Sequence, residues 1–148
     1  MSKRTLVVHS GGVGDFICAL PALQQLASEG SVEIAGIPER AALAQGAGIA
    51  TAVHRLDAID FGSVFSTPSD RLAGFFALFD RAFIWMADDD GTITDNLRSL
   101  GCEEVRCFPG IPPADWVESA AHYYAHCVGT PVDLPFRLPI LPGKTRHD

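Results

Sequence analysis

The sequence predicts an α/β fold: one parallel sheet of about five strands, doubly wound, with helices on both faces. Three observations predict it. Short apolar runs alternate with helical patterns along the chain, the signature of consecutive β–α–β units. The chain opens with the run Thr5-Leu6-Val7-Val8, passes through a glycine-rich turn and continues into the helical pattern Phe16-Ile17-Cys18-Ala19-Leu20. A later run, Ala82-Phe83-Ile84-Trp85-Met86, is almost continuously apolar, as a central strand covered on both faces must be. Together these describe a Rossmann-like sheet whose ligand edge lies at the carboxyl ends of its strands.

Strand one is expected over residues 5–9. The first helix is expected over 15–28, with Phe16, Leu20, Leu23 and Ala27 on one face. Pro21 lies within it, so the helix either kinks there or its regular part begins there. Glu29-Gly30 ends it, and strand two covers 32–37. Helix two, 38–45, starts on Pro38, a residue suited to a first helical turn, and Gly46-Ala47-Gly48 closes it before strand three at 52–56. The cluster Ser66-Thr67-Pro68-Ser69-Asp70 reads as a helix start, and a helix over 68–79 would bury Leu72, Phe75, Phe76 and Phe79. Strand four spans 82–86, a short helix 92–100, strand five 104–108, and the last helix 113–128, closed by Gly129. Residues 1–130 form the domain, and residues 131–148 a proline-rich extended tail or the start of an interdomain linker.

The 148 residues match one ordinary domain, and 47% hydrophobic residues suffice for its core. No apolar run of about 18 residues could cross a membrane. The start, Met1-Ser2-Lys3-Arg4, lacks the apolar stretch and cleavage site of a signal peptide. The four cysteines, Cys18, Cys102, Cys107 and Cys127, show no zinc spacing and fit a reducing cytoplasm. Cys18 and Cys127 are expected to be buried, and Cys102 and Cys107 partly exposed. A net charge of −7 without a basic run argues against nucleic acid as a partner and gives no general attraction to an anionic membrane.

The chemistry-bearing stretch is His9-Ser10-Gly11-Gly12-Val13-Gly14-Asp15. Glycines let the backbone turn sharply and let a ligand approach it. The Walker A pattern fails, because Asp15 stands where its lysine should be, and the nucleophile elbow fails, because Val8 stands two residues before Ser10. The dinucleotide fingerprint is matched only by Gly12-Val13-Gly14, since Ile17 occupies the third glycine position. Asp15 itself has two readings. It is a good helix N-cap, and it is a carboxylate at a sheet's ligand edge, placed to take a proton. Ser10 either donates a hydrogen bond to a substrate or stabilises the turn.

A hydrophobic strand, a basic residue, one residue, Gly-Gly-x-Gly-Asp and an apolar helix containing Pro-Ala-Leu together resemble the start of the family 9 glycosyltransferases, the bacterial ADP-heptose:lipopolysaccharide heptosyltransferases. The matching residues are His9, Gly11, Gly12, Gly14, Asp15, Pro21, Ala22 and Leu23. Later, Ala121-His122-Tyr123-Tyr124 followed by the proline-rich segment 131–142 is similar to the end of that family's first domain. The resemblance implies one half of a GT-B architecture, the acceptor-facing domain, with the donor-binding domain absent from this chain. It implies inverting transfer of a heptose-like sugar from a nucleotide donor to a lipopolysaccharide-type or other glycan acceptor, without metal or cofactor. It implies Asp15 as the general base, with His9, Gly11, Gly12 and Gly14 at the substrate. The family usually carries Arg or Lys where this chain has His9, which titrates near neutrality.

Other candidates are weaker. Asp88, Asp89 and Asp90 follow strand four at the ligand edge; they form a capped turn or hold a cation, and Asp88 is the substrate-side candidate among them. His122 and His126 have the spacing of a zinc helix without its glutamate, Tyr123 standing in its place. Arg40 and Arg71 lie near strand-to-helix junctions, within reach of an acidic acceptor. The partners expected are a nucleotide-sugar donor, through a second domain, and a glycan or lipid-linked sugar acceptor. Peripheral membrane contact, a partner domain or self-association are further openings, because Leu134, Phe136, Leu138 and Ile140 share one side of an extended tail. The rivals are a non-catalytic Rossmann-like binding or remnant domain and a nicotinamide-binding domain.

Overall fold

The computed structural model describes residues 3–129. It shows a Rossmann-like α/β fold with five parallel strands in the order β3-β2-β1-β4-β5. The elements are β1 (Lys3–His9), α1 (Val13–Ala27), β2 (Gly30–Gly36), α2 (Pro38–Gly46), β3 (Ala52–Arg55), a 3₁₀ turn (Phe61–Phe65), α3 (Asp70–Phe76), β4 (Arg81–Ile84), α4 (Thr92–Ser99), β5 (Glu104–Cys107) and α5 (Ala120–Cys127).

β1 is central because both its faces are apolar. Val7 points to the core formed with α1, α2 and α5, where Phe16, Leu20, Leu23, Ile34 and Tyr124 are buried. Leu6 and Val8 point to the opposite core, with Leu72, Phe76, Ile93 and Leu97 from α3 and α4. That alternation is the period-two geometry of a strand, and fully burying each such side chain contributes roughly 1.5–3 kcal/mol. The chain leaves β1 towards β2 and later returns to β4 on the other side, so the strand order reverses beside β1. Crevices for ligands in open α/β sheets lie at such a reversal, outside the carboxyl ends of the strands.

Two glycines shape this edge. A side chain at Gly36 would collide with the His9 carbonyl, so β1 and β2 meet there only because position 36 is glycine. Gly91, at φ +77°, takes the left-handed conformation that starts α4.

Several boundaries differ from expectation. α1 starts at Val13, with Gly12 as its N-cap, and runs through Pro21 to Ala27, so its regular part does not begin at the proline. α3 starts at Asp70, not 68, because Ser69 Oγ accepts from the Leu72 N–H, and it ends at Phe76, not 79. The 3₁₀ turn before it carries no sequence periodicity that announces it. α5 starts at Ala120, not 113, because Ser119 Oγ accepts from the His122 N–H and caps it there. Cys102 was expected to be partly exposed and is fully buried, while Cys18 is only half-buried; all four cysteines are free thiols. The extended tail expected over residues 131–148, including Leu134, Phe136, Leu138 and Ile140, lies outside the described residues.

Two buried polar groups within the strands were not foreseen. Arg81, 6% exposed, donates to Thr5 Oγ1 at 2.7 Å and pairs with Glu29 at 2.7 Å. Glu33, 7% exposed, pairs with Arg4 at 2.7 Å and His54 at 2.8 Å. Burial alone would raise the Glu33 carboxyl, but hydrogen bonds from His54 and Arg4 outweigh it and hold it below the usual range.

Candidate functional site at the carboxyl edge of the sheet

The turn between β1 and α1 brings the predicted residues together. β1 ends on His9, Ser10 and Gly12 are exposed, and Gly11 is half-buried. Asp15 falls in the first turn of α1, half-buried, at the carboxyl edge of the sheet. Its N-cap reading is overturned. Gly12 holds the cap position, and no side chain caps the helix. The Asp15 carboxylate accepts no hydrogen bond from any described residue. It keeps the favourable field of the helix end, worth about 0.3–1 kcal/mol.

His9 differs from the part-charged basic residue that the sequence suggested. Its side chain is only 3% exposed and is caged by Phe16, Tyr124 and Trp85, with ring centroids 5.3, 5.9 and 6.3 Å away. Burial pushes its pKa down to about 4, opposed by the Asp15 charge and reinforced by Arg40, so at neutral pH the ring is uncharged. Nδ1 accepts the Gly11 N–H at 3.3 Å, which places the ring proton on Nε2. That Nε2 is buried without a partner among the described residues. A buried donor left unmade costs about 1–3 kcal/mol.

Arg40 supplies the cation that His9 does not. It lies in the first turn of α2, half-buried, close enough to His9 to disfavour its charged form. Its Nε is buried with no hydrogen-bond partner among the described residues. Tyr124, whose hydroxyl donates to the Gly110 carbonyl at 2.6 Å, closes the far side. Burial, and then the Asp15 charge, push its phenol pKa up, so it stays protonated. The arrangement therefore offers one free carboxylate, one cation and a rigid aromatic support beneath a glycine turn. Phe16 lies on α1, Trp85 just past β4 and Tyr124 on α5, so nothing in the linear sequence marks them as one cage.

Asp88 stands on the other side of β1 and is occupied. Its Oδ1 accepts from the Ile93 N–H at 2.9 Å, and its Oδ2 accepts from the Thr94 N–H at 2.9 Å and the Thr94 hydroxyl at 2.7 Å. Burial would raise this carboxyl, and those bonds outweigh it and hold it low. The helix-cap reading of Asp88 thus accounts for the three hydrogen bonds that its carboxylate accepts. An open cleft of about 320 Å³ beside it is lined by Phe65, Asp88, Asp89, Asp90, Thr92 and Ile93. Among the described residues, no three of His, Cys, Asp and Glu converge to hold a metal ion. His122 is engaged with Ser119 Oγ at 2.7 Å, and His126 packs on Trp116. Arg71 is exposed in the first turn of α3. No described helix is long and apolar enough to cross a membrane.

No protein-family model matches the chain, and no curated protein matches it in sequence. Among solved structures, it is similar to E. coli heptosyltransferase WaaC with ADP, at 13% identity and a TM-score of 0.52, over 98% of this chain and 50% of that one. It is likewise similar to E. coli heptosyltransferase WaaC with ADP-2-deoxy-2-fluoro heptose, at 15% identity and a TM-score of 0.50, over 90% of this chain and 50% of that one. The chain thus spans about half the length of these neighbours. At such identities the likeness is one of fold alone.

Proposed function

We propose that this chain is the acceptor-side half of an inverting glycosyltransferase that moves a heptose-like sugar from a nucleotide donor to a lipopolysaccharide-type or other glycan acceptor. The observation that carries the reading is Asp15: a carboxylate without a hydrogen-bond partner among the described residues, in the first turn of α1 at the carboxyl edge of the sheet. The fold neighbours, solved with ADP and with ADP-2-deoxy-2-fluoro heptose, support the donor class.

In this reading Asp15 takes the proton from the acceptor hydroxyl as it attacks the anomeric carbon. The bond to the diphosphate breaks with inversion, and the nucleotide leaves with its electron pair. General-base assistance of this kind is typically worth about 10²–10⁴-fold. Arg40 orients an acidic group on the acceptor. Donors that stabilise the leaving diphosphate belong to a donor-binding half outside this sequence. Without that half the two reactants are not held together, a contribution of roughly 7–11 kcal/mol.

The test is nucleotide release from ADP-heptose in the presence of an acceptor. The chain alone is expected to show no turnover. Assembled with a donor-binding half, it should turn over, and Asp15→Asn should lower kcat by about 10²–10⁴-fold with little change in the KM for donor. Steady turnover by the chain alone, lost in Asp15→Ala, would show instead that these residues suffice. Full activity of Asp15→Asn in the assembly would remove the base from Asp15.

A further inference from the structure

Gly11 is tied to the ring that precedes it and faces Asp15 on α1. Its N–H donates to His9 Nδ1 at 3.3 Å. A Cβ built on Gly11 would lie 3.1 Å from His9 Cε1 and 3.7 Å from Asp15 Cβ. The Gly11 turn thus sits between the imidazole, which a side chain there would crowd, and Asp15, whose Cβ lies at ordinary contact distance from the same point.

Nothing else about the imidazole is needed for packing. Its cage of Phe16, Trp85 and Tyr124 would accept a phenyl ring as well. Its Nε2 N–H gains no partner among the described residues. What an imidazole offers here and a phenyl does not is the Nδ1 lone pair. We propose that His9 is a positioning residue: as the neutral, Nε2-protonated imidazole it holds the Gly11 N–H on Nδ1, and through Gly11 it fixes where the Asp15 carboxylate stands. The charged and titratable groups facing it are Asp15 on α1, Arg40 on α2 and Tyr124 on α5. The catalytic consequence rests on the proposed role of Asp15; the placement of Asp15 does not.

The first test is the ¹⁵N spectrum of the imidazole in the full chain at neutral pH. Nδ1 is expected to be unprotonated and Nε2 protonated; a proton on Nδ1, or a cationic ring, would overturn the inference. The second compares His9→Phe with His9→Asn, whose amide oxygen can replace Nδ1 as acceptor. His9→Phe is expected to keep or raise the urea midpoint at neutral pH. It should nonetheless speed Gly11 amide exchange by about tenfold or more and move the Asp15 carboxyl ¹³C resonance. His9→Asn should bring both signals back towards the parent. Unchanged Gly11 and Asp15 signals in His9→Phe would reduce His9 to core filling. If His9→Phe does not fold, the tautomer decides. None of these readouts needs glycosyl transfer, so failure of the transferase reading leaves them standing. In a transfer-competent assembly, His9→Phe should lower kcat while donor KM holds, and His9→Asn should restore it.

Discussion

Mild acid should destabilise this protein through one buried imidazole. His9 titrates at about 4 when folded, against an ordinary value of 6.5, chiefly because burial opposes its charge. Above the ordinary value, neither state carries the proton and His9 contributes no pH dependence. Between the two values the unfolded chain binds a proton that the folded chain does not, so stability falls as pH falls. Converted at about 1.4 kcal/mol per pH unit, the whole gap is about 3 kcal/mol, of which about 2 kcal/mol is lost by about pH 5. Against a typical net stability of about 5–15 kcal/mol, that is a large fraction. The assay is urea unfolding from about pH 7.5 to about pH 4.5, for the parent and for His9→Phe, which has nothing to protonate. The parent should lose about 2 kcal/mol more than the variant by about pH 5. Parallel profiles would refute the reasoning, because they would mean that His9 is hydrated or charged in the folded state.

Three further outcomes are expected. Asp88→Ala should destabilise the domain by about 1–2 kcal/mol, since it strips the cap of α4, and thermal unfolding will show it. Glu33, with its lowered pKa, stabilises the fold above its ordinary value of 4.5, and that contribution is lost as pH falls through the folded value; Glu33→Gln should lack this part of the acid loss in the same urea series, at lower pH than the His9 effect. Gly36→Ala should destabilise by about 1–3 kcal/mol, because the added methyl meets the His9 carbonyl and must spread β1 from β2; denaturant unfolding measures it.

Much of the fold was legible because burial on both faces leaves a plain trace. Val7 with Leu6 and Val8, and Ala82 with Phe83 and Ile84, are apolar on both sides of the sheet and could be nothing but central strands. Asp15 was legible because glycines set it at the end of a strand and the start of a helix. The protonation state of His9 was not. Its charge is decided by a cage whose members are separated by much of the chain, and sequence shows each only as an apolar residue. Arg81 and Glu33 were illegible for a related reason: each is a polar residue inside a strand, tolerated because its partners Thr5, Glu29, Arg4 and His54 come from elsewhere. The start of α5 was misplaced because the capping hydroxyl of Ser119 outweighs the helical spacing that precedes it. Arg40 showed in sequence only as a charge near a junction; its unpartnered Nε beside the turn is a tertiary fact.

In the function proposed here, the glycine turn and Asp15 receive a sugar acceptor, while the nucleotide is bound elsewhere. The most direct measurement is a titration of the ¹⁵N-labelled chain, followed through the backbone amides of Ser10 to Phe16. One arm adds a deacylated lipopolysaccharide core oligosaccharide, and the other adds ADP. The oligosaccharide should shift the Gly11, Gly12, Gly14 and Asp15 amides, Asp15→Asn and Arg40→Ala should weaken that response, and ADP should leave the turn unmoved. Saturable shifts of the same amides by ADP, with none from the oligosaccharide, would contradict it and make this turn a nucleotide site.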